Sequence, residues 1–249
     1  MKKSICIIGF GRLGKTLADI LCINFDVAIC EVDTTKANDA ATLGFPLITA
    51  PALAHYTTII VCVPISQFEA TIENVASHLQ PGTLIMDTCS VKIMPVQAME
   101  RLLDKSIAII ATHPLFGPDS VRKGFNELTM VTCPIRVDIN VYQEWNSYWK
   151  ALGLNLVETT PDIHDKITAY TLGMPHFFGR IMEALELTPQ LLPTVSYNAL
   201  YQVMQQTRSD TWQLFHDMQH YNPYAKGMRE RVYAAITLVE AKLDNAIND

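Results

Sequence analysis

The chain is poor in charge, and it lacks most of the features that would mark it as other than an ordinary globular protein. Only 18% of its 249 residues are charged, and the formal net charge is −6. Basic residues are scattered, the densest group being Arg229-Glu230-Arg231. With no stripe of Lys and Arg to neutralise phosphates, nucleic acid is not expected as a partner. No apolar run reaches the roughly 18 residues that suggest a bilayer span. Met1-Lys2-Lys3 passes straight into a strand-like segment with no apolar leader, so the expectation is a cytoplasmic chain with no membrane partner. The six cysteines, Cys6, Cys22, Cys30, Cys62, Cys89 and Cys133, form no C-x-x-C pair. Neither a zinc site nor a disulfide framework is indicated, and no metal is expected. Buried, reduced thiols are the expectation instead. Repeats and low-complexity segments are also missing. What is present is a 49% hydrophobic composition, enough for a substantial core in one large domain or two smaller ones.

The most informative stretch is the opening one, where Ser4-Ile5-Cys6-Ile7-Ile8 breaks into Gly9-Phe10-Gly11-Arg12-Leu13-Gly14. An apolar strand before the glycines and a helix-like segment over 12–21 after them give Gly-x-Gly-x-x-Gly the context of a dinucleotide-binding turn. Gly9 permits the turn, Gly11 lets the backbone approach a pyrophosphate, and Gly14 allows helix and strand to pack closely. The backbone of Gly9, Gly11, Arg12, Leu13 and Gly14 would then present amides to the phosphates at the positive end of the helix dipole. A second strand over 26–30 ends in Glu31-Val32-Asp33. Either acid could accept from the ribose hydroxyls; Glu31 is favoured because Asp33, before Thr34-Thr35, could equally cap the next helix. A 2′-phosphate would want a cation here, and Lys36 is the nearest, so NAD is preferred over NADP.

Strands and helices alternate through the first part of the chain. Apolar runs at 58–63, 83–87, 107–111, 128–133 and 154–157 read as strands. Helical spacing falls at 36–43, 68–79, 96–103 and 141–152. From Thr160 the pattern becomes helical only. Thr160-Pro161 opens a helix with Ile167, Tyr170, Thr171 and Met174 along one side, and the last helix repeats Val232, Ala235, Ile236, Val239 and Leu243 at helical period,. The fold class is therefore α/β: a doubly wound, Rossmann-type, mostly parallel sheet over 1–158, then a smaller all-helical domain over 159–249 that would carry substrate and homodimer contacts.

In such a sheet, ligands bind beyond the carboxyl ends of the strands. Those positions hold Pro64-Ile65-Ser66, Asp87-Thr88-Cys89-Ser90-Val91-Lys92, and a loop, Thr112-His113-Pro114-Leu115-Phe116-Gly117-Pro118-Asp119-Ser120. Pro64 would lie by the cofactor. His113 has an intrinsic pKa suited to accepting a hydroxyl proton during hydride transfer.

Asp87-x-x-Ser90-x-Lys92 followed by His113-Pro114-Leu115-Phe116-Gly117-Pro118-Asp119 resembles the prephenate/arogenate dehydrogenases of tyrosine biosynthesis, as does His164-Asp165 followed by Met174-Pro175-His176. Gly124-Phe125 and Tyr221-Asn222-Pro223 look most like the plant-type arogenate branch. The resemblance implies an NAD(P)-dependent oxidative decarboxylation of arogenate or prephenate to a phenol. It makes His113 and Ser90 catalytic and Lys92 either a substrate contact or a support for the loop between them. It also sets His176 against polar groups of the substrate and leaves His164-Asp165 a largely structural helix-start pair. One departure stands out. Where bacterial members place a carboxylate-binding arginine, this chain has Gln206, with Arg208 two positions on. Arg208 from a non-helical loop, Gln206 by neutral hydrogen bonds, or another cation (Arg180 or Lys123) remain the alternatives. A dehydrogenase of another small hydroxy acid and a catalytically silent dinucleotide-binding protein are the competing functional readings.

Overall fold

The alternation of apolar runs and amphipathic segments resolves into successive βα units in a computed structural model, which describes residues 3–121 and 124–246. The elements are β1 (Ser4–Ile8), α1 (Arg12–Leu21), β2 (Asp26–Cys30), α2 (Thr34–Thr42), β3 (Thr58–Val61), α3 (Ile65–Ala76), β4 (Leu84–Asp87), α4 (Ile93–Leu102), β5 (Ala108–Pro114), α5 (Pro118–Val121), β6 (Thr129–Arg136), α6 (Ile139–Ala151) and β7 (Asn155–Glu158). They form a seven-stranded sheet in the order β2-β1-β3-β4-β5-β6-β7. The chain divides into two compact units between Asp162 and Ile163.

Every residue of β3 and β4 is buried, as befits central parallel strands covered on both faces, and this is why their sequences read as mainly apolar runs. Helix α1 buries Leu17, Ala18, Ile20 and Leu21 against the sheet. Helix α6 contributes Tyr142, Trp145 and Trp149, and Trp145 stacks on Phe25 with ring centroids 5.5 Å apart. None of the six cysteines is joined in a disulfide. Burial raises the pKa of Cys6, Cys30, Cys62 and Cys89, Cys62 to about 12, so these thiols stay protonated. Cys22 departs from the expectation of burial: it caps the C-terminus of α1 and is exposed.

One pair of strands, β5 and β6, is antiparallel; all other neighbours are parallel. β6 returns beside β5 in the opposite direction after a connection that includes the short α5. The antiparallel ladder continues through Thr112↔Thr132, His113↔Val131 and Pro114↔Met130. This corrects the placing of His113 in a loop: it lies inside the last turn of the ladder, with its backbone held by a neighbouring strand.

The second unit is helical: α7 (Pro161–Thr168), a π-helical turn (Ala169–Gly173), α8 (Met174–Ala184), α9 (Val195–Arg208), α10 (Trp212–Tyr221) and α11 (Ala225–Ala246). Two expected apolar faces are only partly buried here, with Tyr170 and Met174 packed against the core of the unit. On α7 the buried residues are His164, Asp165 and Thr168, while Ile167 is 54% exposed. The polar side is buried because its groups satisfy one another. His164 Nδ1 lies 2.7 Å from Asp165 Oδ1, Thr168 Oγ1 donates to the His164 carbonyl at 2.9 Å, and Asn222 Nδ2 donates to the Asp165 carbonyl at 2.8 Å,. On α11, Val232 joins Ala169 and Met228 in the core of the unit, but Ile236, Val239 and Leu243 are exposed.

Candidate active site

β1 lies between β2 and β3, so chain order reverses at its carboxyl end, the place where such sheets open a crevice for ligands,. Gly9 adopts φ +96° there, and a Cβ on it would collide with the Cys62 carbonyl oxygen; one on Gly14 would collide with the Gly9 carbonyl oxygen. No larger residue fits either position. A Cβ on Gly11 would meet nothing within 4 Å, which leaves an open cradle over the turn. Gly11 is also the N-cap of α1, which has no side-chain cap and no acid in its first turn. The helix start thus carries neither a capping side chain nor a negative charge, a setting suited to an anion,. These are features that a dinucleotide pyrophosphate would fit.

Glu31 closes β2 beside this turn. Its Oε2 accepts from the Phe10 amide at 2.6 Å, and Oε1 accepts from the Val32 and Asp33 amides at 2.8 and 2.9 Å. Asp33 instead caps α2, accepting from the Thr35 and Lys36 amides at 2.9 and 3.1 Å. Those amides, Lys36 first, hold its carboxyl below the ordinary range. The two acids thus part company: Glu31 belongs to the glycine turn, Asp33 to the start of α2.

Along the same sheet edge, hydrogen bonds link successive strand ends. The Gly9 amide donates to the Cys30 carbonyl at 2.9 Å, the Cys62 amide to the Ile8 carbonyl at 2.7 Å, and Thr88 Oγ1 to the Val61 carbonyl at 3.1 Å. Pro64, exposed, starts α3. Ser90 is half-buried in the turn after β4, and His113 is 4% exposed near the end of β5. The structure thus gathers Gly9, Gly11, Glu31, Pro64, Ser90 and His113 at one edge. For Lys92 the geometry favours the second of its two readings, a loop support. It is fully buried, its ammonium paired with Asp87 and donating to the Thr112 carbonyl at 2.5 Å. These are the bonds of a support for the segment between Ser90 and His113. Asp87 and Thr112 stand in the sequence patterns noted above but were given no role there; the signal for one was a carboxylate ending an otherwise apolar strand.

In the second unit, Pro175 follows the π turn and has no amide hydrogen to give to the preceding turn. The Gly173 carbonyl is taken by Gln219 Nε2 at 2.8 Å, itself fixed by Arg229 Nη1 at 2.6 Å from its Oε1. His176, one residue on, is buried, with Nε2 3.7 Å from Asp210 Oδ2. Burial pushes its pKa down; Asp210 opposes that and Arg180 adds to it. Arg180 is buried too. It donates to Glu183 at 2.7 Å and to the Asp210 carbonyl at 2.6 Å, and its guanidinium carbon stands 4.5 Å from the Trp212 ring centroid. Arg208 belongs to the last turn of α9 rather than to a loop, and its Nε lies 3.3 Å from Glu183 Oε1. Gln206 is exposed on the same helix. Lys123 lies outside the described residues. Among the described residues, no group of three His, Cys, Asp or Glu side chains could hold a metal ion, and no helix is long and apolar enough to cross a membrane.

The switch-point turn, the uncapped helix start and the acid closing β2 define a nucleotide-binding α/β domain followed by a helical unit. Residues 22–157 match the family model described as prephenate dehydrogenase, nucleotide-binding domain. That is more than half of the sequence, and the chain belongs to the prephenate/arogenate dehydrogenase family. Residues 181–249 match a TYRAAT1-like C-terminal domain. The chain is 28% identical to arogenate dehydrogenase 1, chloroplastic, of Arabidopsis thaliana over 248 residues, 96% of this chain and 39% of that protein. It is 27% identical to arogenate dehydrogenase 2, chloroplastic, of the same plant, over 96% of this chain and 69% of that one. It therefore spans well under half the length of the first of these relatives. Among solved structures, prephenate dehydrogenase from A. aeolicus in complex with hydroxyphenyl propionate and NAD+ superposes with a TM-score of 0.80 at 14% identity, covering 100% of this chain and 93% of that one. Synechocystis arogenate dehydrogenase gives 0.71 at 20% identity, over 96% and 93%. At those identities the likeness speaks to the fold.

Proposed function

We propose that this chain catalyses the NAD-dependent oxidative decarboxylation of arogenate or prephenate. The observation that carries the reading is that His113 closes β5 on the same sheet edge as the glycine turn, with Ser90 at the end of the adjacent strand. NAD, when bound, supplies the hydride acceptor. The carboxylate of Glu31 accepts from ribose hydroxyls and repels a 2′-phosphate, which supports NAD over NADP. Ser90 orients the hydroxyl of the cyclohexadienol. His113 takes the hydroxyl proton as the hydride leaves the same carbon, and its hydrogen bond strengthens as carbonyl character develops. The bond from the ring to its carboxylate then breaks, carbon dioxide departs, and the electron pair passes through the ring to the oxygen, which takes the proton back from His113 to give the phenol. In the second unit, His176 is read as a contact for polar groups of the substrate. Arg208 and Arg180 both engage Glu183, so neutral hydrogen bonds from the exposed Gln206 are favoured in place of a free arginine on α9.

We further propose that a second copy of this chain covers the apolar stripe of α11. The support is a groove of about 490 Å³ lined by Tyr170, Met174, Met228, Val232, Ile236 and Val239, among others.

The test is formation of reduced nicotinamide from NAD and from NADP with arogenate and prephenate side by side. Turnover of either substrate, faster with NAD, is the expected result. Turnover of neither, with NAD still bound, would return the choice to another hydroxy acid or a silent binder.

A further inference from the structure

Asp87 and Lys92 are both fully buried and face one another as an ion pair. An ion pair this deep returns little net stability, because desolvation offsets most of the attraction. The bonds it makes suggest another use. Asp87 Oδ1 accepts from the Thr112 amide at 3.1 Å, Lys92 Nζ donates to the Thr112 carbonyl at 2.5 Å, and the Thr112 hydroxyl donates to the Asp87 carbonyl. Amide, carbonyl and hydroxyl of Thr112 are all tied to these two residues, and Thr112 immediately precedes His113. On its other side, Asp87 Oδ2 accepts from the Cys89 amide at 3.0 Å, and Cys89 immediately precedes Ser90. One ion pair therefore grips the backbone just before each of the two residues assigned to the chemistry. An apolar pair of the same volume would fill the space, but it would hold none of these groups in direction.

We propose that Asp87 and Lys92 are positioning residues that fix Ser90 and His113 relative to each other. The inference rests on the reading of those two residues given under Proposed function. Misplacing a reacting group by about 1 Å costs on the order of 100-fold in rate, so the grip would register in turnover more than in binding.

Removing one partner alone strands a buried charge and endangers the fold, whereas neutralising both is tolerated far better. The variant of choice is therefore the double one, Asp87→Asn with Lys92→Met. Its kcat is expected to fall about 10- to 100-fold, with NAD affinity and KM within about threefold of wild type. The deuterium isotope effect on kcat, with substrate labelled at the hydroxyl-bearing carbon, should rise as hydride transfer becomes more rate-limiting. A folded double variant with wild-type kcat and isotope effect overturns the proposal. Thr112→Val removes one tie while keeping the strand. Should the double variant not fold, a kcat drop of about threefold or more in Thr112→Val, at constant NAD affinity, supports the grip, and an unchanged kcat overturns it. If wild-type protein turns over neither substrate, the functional reading fails separately. The ring signals of His113, identified in NMR spectra by their loss in His113→Asn, then decide. They move in the double variant, or in Thr112→Val should that variant not fold, if the ties position the ring; unmoved signals overturn the proposal.

Discussion

At the scale of single residues, two acids two positions apart in the sequence have separate work. Glu31 receives three backbone amides, one of them from inside the glycine turn, while Asp33 is spent on the start of α2. Glu31→Ser should weaken NAD about tenfold, the scale of a lost hydrogen bond to a charged group, and narrow its advantage over NADP. Asp33→Ala should lower thermal stability and leave cofactor preference alone. Titration calorimetry with both cofactors separates the two, and unaltered preference in Glu31→Ser would move the ribose contact elsewhere. His113→Asn is expected to lower turnover at least about 100-fold, the scale of a lost general base, with NAD affinity preserved. A wild-type rate in that variant would remove His113 from the chemistry. Both acids were legible as alternatives in the sequence. What separated them was whether the carboxylate turned back towards β1 or forward along α2, a matter of local backbone direction.

At the scale of elements, the strands were legible because central parallel strands must be apolar on both faces. The helices of the second unit were less so. On α7 the periodic apolar residues face out and a hydrogen-bonded polar set faces in. Periodicity reports where apolar side chains cluster, and it cannot report that His164, Asp165 and Asn222 have found partners. His176 belongs to the same class of buried polar residue. Burial is the main cause of its lowered pKa, so the unfolded chain takes up a proton before the folded one does. Stability is then full above the ordinary imidazole pKa of about 6.5 and declines as pH falls below it. Thermal melts of wild type and His176→Gln between about pH 7.5 and 5.5 test this. The wild type should lose more stability over that range, and parallel losses would show that His176 does not titrate as described.

At the scale of the whole molecule, α11 leaves Ile236, Val239 and Leu243 exposed at 44, 57 and 63%, spaced at helical period along one stripe. Because Val239 contributes little to the fold of its own unit, Val239→Asp should leave the monomer intact while weakening self-association at least about tenfold. Sedimentation of wild type and variant across a range of concentrations measures it. A wild type that stays monomeric would remove the second copy from the account.

The sequence by itself determined the βα alternation, the glycine turn and the change to helix after Thr160, because each follows from local rules: apolar period, backbone permissiveness and capping. It also determined which residue types could do chemistry, through motifs whose spacing survives without coordinates. Only the tertiary structure decided that β6 runs antiparallel and draws His113 into a strand. Only it showed that Lys92 is sealed against Asp87 and that Arg208 and Arg180 share Glu183. In each case the deciding partner is distant in sequence or a turn away in space, and a charged side chain's role depends on which partner takes it out of water.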